Sequence, residues 1–121
     1  MKPLLVLGML SAFLSAPVAN AAEPINLALV AEVTTSFVSG HETLGAVQDG
    51  FDPAGENDHH HGAYGNWPQT GTQWVEYAWS QPVSTKEIAV YWWKDGQGID
   101  LPKACRVLAW DGKAFAPVAN A

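Results

Sequence analysis

An acid followed by three imidazoles, Asp58-His59-His60-His61, is the most conspicuous chemistry in this chain. Neutral imidazole suits Zn²⁺ and Cu²⁺, so the run could ligate a transition metal. Consecutive side chains of an extended segment point to alternate faces, however, and three adjacent His rarely converge on one ion. A structural zinc site also wants four ligands at defined spacings, which the run lacks. The favoured reading is a polar loop in which His59 helps to form a ligand pocket.

Asp49 and Asp52 flank Gly50 in the turn Gln48-Asp49-Gly50-Phe51-Asp52-Pro53. Carboxylate and backbone oxygens in such a turn can gather Ca²⁺ as a structural cofactor. The alternative is a turn in which Asp caps its own backbone. The residues point to no other cofactor.

Ten aromatics fall between Tyr64 and Phe115. Trp74, Tyr77, Trp79, Tyr91 and Trp92 lie in strand-like runs and are expected to pack in a core. Tyr64 and Trp67 lie in a long polar stretch, and Trp93 ends a strand beside a second loop. Exposed rings next to polar loop residues are what sugars stack upon, while their hydroxyls meet side chains. The long stretch supplies Asn57, Asp58, His59 and Tyr64, and the second loop supplies Lys94, Asp95 and Gln97. Donors, acceptors and stacking rings are therefore present, with no nucleophile poised among them. Glu42, Glu56 and Asp58 tempt as paired carboxylates, but no pattern sets them across a cleft. There is no Gly-x-Ser-x-Gly elbow, Gly-rich phosphate loop or His-Glu-x-x-His helix. The chain does not read as an enzyme.

The elements that must position these groups read as β. Residues 26–37 mix apolar and Thr/Ser residues and suit one opening strand or two short ones. Residues 38–72 show no sustained period, and a loop of that length in a compact domain is usually functional. Residues 74–79 form a strand, with Ser80-Gln81-Pro82 turning out of it. In residues 83–93, Ile88, Val90 and Trp92 alternate against Ala89, Tyr91 and Trp93, the period of a strand. Asp95-Gly96, Gly98 and Pro102 shape the second loop, residues 94–103. Residues 104–110 and 113–118 then read as strands of a hairpin turned by Asp111-Gly112. The order is an antiparallel meander with two long loops.

Composition narrows the class further. Six basic against 12 acidic residues give a net charge of −6, with no basic stripe to neutralise phosphates, so nucleic acid is excluded as a partner. Apolar residues make up 48% and charged residues 15%, which is not the balance of a disordered tail. The length allows one small domain, and 11 Gly, 8 Pro and 6 Trp favour strands and tight turns. The one cysteine, Cys105, cannot form an internal disulfide and is expected to be a small buried filler.

Lys2, the apolar run of residues 4–14 and Ala19-Asn20-Ala21 have the order of a signal peptide, residues 1–21. The run is too short to span a bilayer, which takes about 20 residues. Cleavage after Ala21 leaves residues 22–121 with a net charge of −7, since Lys2 departs and no acid does. A secreted or periplasmic location without a membrane span follows. The hexapeptide Ala-Pro-Val-Ala-Asn-Ala occurs at residues 16–21 and again at 116–121, too short to be a structural repeat.

Residues 73–79 (Gln-Trp-Val-Glu-Tyr-Ala-Trp), Gln81-Pro82-Val83 and residues 88–93 (Ile-Ala-Val-Tyr-Trp-Trp) together resemble the middle of a discoidin-like domain. That is the coagulation factor 5/8 type C family, within the galactose-binding-domain-like superfamily. Asn26-Leu27-Ala28 and residues 46–50 fit the family's opening. Leu101-Pro102-Lys103, Arg106 and Trp110-Asp111-Gly112 resemble the version appended to bacterial secreted glycoside hydrolases. The resemblance covers residues 26–118, and its order and spacing carry it rather than any one motif.

The resemblance implies an all-β fold, an antiparallel jelly-roll β-sandwich, incomplete at its C-terminal end because the family continues with further strands. Residues 22–121 would then be one truncated domain. It implies a non-catalytic carbohydrate-binding module whose parent is a glycoside hydrolase, with polysaccharide or oligosaccharide and a catalytic domain as partners. Asp58, His59, Tyr64, Trp93 and Asp95 are the expected sugar contacts, and Asp49 and Asp52 the expected metal contacts. Trp67 matches a family position that packs under the loop and ranks below Tyr64. The competing class is a domain-docking or adhesion sandwich, or a metal-binding exported fragment. A sugar module should gather rings and polar groups at one end, and a docking module should present a broad apolar patch.

Overall fold

A computed structural model describes residues 23–58, 60–119 and 121. The expected signal peptide and His59 lie outside the described residues. The fold is β-rich and consists of two small antiparallel sheets joined by long loops.

Strand β1 (Glu32–Thr35) pairs with β2 (Val75–Ala78), Glu32 opposite Ala78 and Thr35 opposite Val75. Thr, Val and Tyr suit a pleated, half-buried surface, and both strands are rich in them. The ladder continues past β1, where Ser36 N–H donates to the Trp74 carbonyl at 3.1 Å and Trp74 N–H to Ser36 Oγ at 3.1 Å. Two short 3₁₀ turns brace this sheet. The first, Leu27–Val30, is capped by Asn26, whose carbonyl Oδ1 accepts from Ala28 N–H at 3.1 Å. Trp79 Nε1 donates to the Leu27 carbonyl at 2.9 Å and ties that turn to the end of β2. The second, Leu44–Val47, is capped by Thr43 and held by Tyr77, whose hydroxyl donates to the Val47 carbonyl at 2.7 Å. Burial raises the Tyr77 phenol above its ordinary range.

Strands β3 (Leu108–Trp110) and β4 (Phe115–Pro117) form the expected hairpin. Gly112 takes a φ of +97°, as the Asp-Gly turn requires. The loop runs over four residues, and Asp111 Oδ1 accepts from Lys113 N–H at 2.8 Å and Ala114 N–H at 2.9 Å. Those bonds hold the Asp111 carboxyl below the ordinary aspartate range. Across the hairpin Trp110 and Phe115 meet edge to face, centroids 5.3 Å apart.

Three expectations fail here. Residues 83–93 form no strand; they run without a ladder partner, and Val83, Ile88, Val90, Tyr91 and Trp92 all face solvent. Alternation marks two faces, but a strand exists only where another strand supplies its hydrogen bonds. For the same reason the expected core is missing. Among the described residues no apolar side chain is fully buried; Trp74 and Trp92 are each 50% exposed, and Tyr77 and Trp79 are half-buried. Cys105 is exposed rather than buried, because nothing packs over its segment.

No described helix is long and apolar enough to cross a membrane.

Candidate functional site

The long loop folds back on itself at two points close to its base. Ser39 N–H donates to the Gly65 carbonyl at 2.9 Å, and Thr43 N–H to the Ala63 carbonyl at 2.9 Å. Ser39, only 2% exposed, is the one fully buried polar residue among those described. Tyr64 locks this base. Its hydroxyl lies against Thr35 Oγ1, donates towards the Phe37 carbonyl at 3.2 Å, and accepts from Asn66 Nδ2 at 2.7 Å. Asn66 Nδ2 also reaches the Phe37 carbonyl at 2.7 Å. A phenol so engaged and half-buried is a structural post, with its ring turned into the loop base.

The Asp58 turn is likewise knitted to itself. Asp58 Oδ1 lies 2.7 Å from His60 Nδ1, and Oδ2 accepts from Ala54 N–H at 3.3 Å. The His60 bond is the main reason its carboxyl sits below the ordinary aspartate range. Asp49 Oδ1 accepts from Phe51 N–H at 2.8 Å, the capped turn foreseen as the alternative to a cation site. His61 stacks on Phe51 with centroids 3.7 Å apart and brings Nδ1 to 4.0 Å from Asp49 Oδ2. Asp52 is exposed and joins no such contact among the described residues. Among the described residues, no three His, Cys, Asp or Glu side chains gather as a metal site.

What the fold does bring together is the two loops. Ser39, His41, Glu42 and Trp67 of the long loop face Asp95, Gln97, Gly98 and Ile99 of the second across an open concavity of about 290 Å³. That volume lies just below the usual range of small-ligand sites, roughly 300–1,000 Å³. Trp67 is 51% exposed, with its ring 5.8 Å from His41 in a tilted arrangement. Gly98 lies against the indole edge, where an added Cβ would stand 3.7 Å from Trp67 Nε1. Glu42 is half-buried, and its Oε2 is shut from water without a hydrogen-bond partner. Gly65 leaves room for it, since a Cβ there would come within 2.8 Å of that oxygen.

Asp95 builds the facing wall. Its Oδ1 accepts from Gln97 N–H at 2.7 Å, Gly98 N–H at 3.1 Å and Ile99 N–H at 2.9 Å. The Gln97 bond leads the three in holding its carboxyl below the ordinary aspartate range. The order this gives the loop is complete above the ordinary aspartate value and is lost as pH falls through the lowered one. In an acid titration followed by NMR, the Gln97, Gly98 and Ile99 amides should therefore move together, at a midpoint below that of an unstructured aspartate. A midpoint at or above the unstructured value would remove Asp95 as the organiser of this loop.

Among the described residues, Asp95 is the one expected sugar contact that lines the concavity, and it does so as a loop organiser. Tyr64 and Asp58 are tied into the long loop, and Trp93 is half-buried at the entry to the second loop without lining the space. His41, Glu42 and Trp67 were the residues that sequence reasoning passed over or ranked low. The Trp67-Pro68 pair within a polar loop is the sequence signal available for one of them. A larger hollow of about 530 Å³ lies between residues 23–27 and 84–87 but carries no aromatic ring. Comparison of the chain with protein-family models, curated proteins and solved structures finds no match.

Proposed function

We propose that this chain is an exported, non-catalytic carbohydrate-binding module that holds a sugar in the concavity between its two loops. The observation that carries the reading is the half-exposed Trp67 indole over a space edged by His41, Glu42 and Gln97. An indole face suits the CH face of a pyranose, and the polar rim suits its hydroxyls. The resemblance to discoidin-like domains supports the same reading. It makes the two small sheets parts of a jelly-roll sandwich and a glycoside hydrolase catalytic domain the natural neighbour. Calcium at Asp49 and Asp52 belongs to that proposal, as a structural ion in the acidic turn.

The full chain, titrated against plant and bacterial polysaccharides by calorimetry and affinity electrophoresis, should bind at least one weakly. A dissociation constant on the order of 0.1–1 mM, about −4 to −5.5 kcal/mol, is the expected range for so small and open a site. Binding to none of them would end the sugar reading. The alternative is then domain docking, which has its own observation in the exposed Ile88, Val90, Trp92, Trp110 and Phe115.

A further inference from the structure

We infer that residues 83–118 bind a second copy of this chain and form a symmetric pair. The inference is independent of the sugar site and starts from where the apolar surface lies. Ten of the fifteen large apolar side chains that stand exposed among the described residues fall in this stretch, from Val83 to Val118. The hairpin concentrates them. Residues that are opposite or two apart share a face, so Leu108, Trp110, Phe115 and Pro117 make one apolar face, with Ala109 and Ala116 behind it. All four are exposed, and two strands without cover are marginal in water. Ile88, Val90 and Trp92 add an exposed apolar row that has no ladder partner.

Charge chooses the occupant. Residues 22–82 carry eight Asp or Glu and no Lys or Arg, whereas residues 83–121 carry five Lys or Arg against four acids. A basic partner would be drawn to the acidic stretch rather than to the apolar one, and an acidic partner would be repelled by the net charge of −6. The apolar half is close to neutral and mixed in sign, with Lys86 beside Glu87, Lys94 beside Asp95 and Lys113 two residues from Asp111. It can therefore meet its own image without repulsion, as an isologous interface requires. The acidic half, which would repel its own image, stays outside. The area suffices as well. A half-exposed ring offers roughly 75–125 Å², half of the 150–250 Å² of a whole one. Four such rings and six aliphatic side chains bring the apolar surface near the ~800 Å² that each partner gives to a standard interface.

Sedimentation equilibrium of the full chain should give 13.0 kDa at about 1 μM and twice that mass, with no further growth, at about 200 μM. Trp92→Glu should weaken the pair by about 30-fold or more. Trp92 lies outside every strand, so this change cannot open the hairpin. Trp110→Glu should weaken the pair as much. Trp74→Glu makes the same change at an exposed ring of the acidic half and should leave the pair intact. A mass of 13.0 kDa at every concentration would overturn the inference and leave this surface to a different protein. Growth beyond two copies, or a pair untouched by both Trp92→Glu and Trp110→Glu, would overturn it as well, since association would then run through an open edge or through residues outside 83–118.

Discussion

Heating residues 22–121 as a monomer will give a broad, weakly cooperative transition. Apolar residues are 48% of the chain, yet none of those described is fully buried. Cooperative unfolding and its heat-capacity step come from exposing apolar surface that the fold had removed from water. A closed domain of 100 residues shows a step of about 1.2–1.5 kcal/mol/K. With Ile88, Val90, Trp92, Trp110 and Phe115 already in solvent, this chain should show less than half of that. Sheet pairing, the Tyr77 and Trp79 tethers and the loop hydrogen bonds remain, so heat should loosen it by stages. A ligand that grips both loops should raise and sharpen the transition, by about 2.7 kcal/mol at a concentration of 100 Kd. Calorimetry of the monomer, with and without glycan, checks both statements. A sharp transition with a full heat-capacity step in the absence of ligand would show that the apolar segments pack in solution.

The second large effect is local. Trp67→Ala should weaken glycan binding about 30-fold, from roughly 2 kcal/mol of lost ring burial and stacking. Trp67 is half-exposed and its indole N–H donates to no partner among the described residues, so its removal should leave the melting curve nearly unchanged. Tyr64→Ala should behave in the opposite way. It removes the hydroxyl that joins Thr35, Phe37 and Asn66, and so loosens the loop base before it touches any ligand. Paired titrations and melts of the two variants separate a binding ring from a structural one. Equal losses of affinity in the two variants, with equal losses of stability, would contradict the assignment.

The contrast between these two rings shows what the sequence could express. Both are aromatics in one polar loop, and type alone does not rank them. The ranking depends on Thr35 and Phe37, which meet Tyr64 across 29 and 27 residues of chain and hold it by its hydroxyl. Such contacts leave no local pattern. Local chemistry was legible at the Asp111-Gly112 hairpin and in part at the expected strands: residues 32–35 of 26–37 and 75–78 of 74–79 form strands, while residues 27–30 make a 3₁₀ turn instead. Residues 83–93 mark the limit, since their alternation is real but their hydrogen bonds need a partner that alternation cannot name. Which side of the second loop faces the space depends on Asp95 folding residues 95–99 around its own carboxylate.

The indole N–H resonances test the central claim most directly, because the six tryptophans report on the whole chain at once. Spectra of the ¹⁵N-labelled protein, recorded during titration with a bound glycan, should show the Trp67 signal moving first and furthest. The Gly98 amide beside it should follow, while Trp92 and Trp110 stay still. Movement centred on Trp92 and Trp110 with Trp67 unmoved would contradict the site and place recognition on the exposed apolar surface instead.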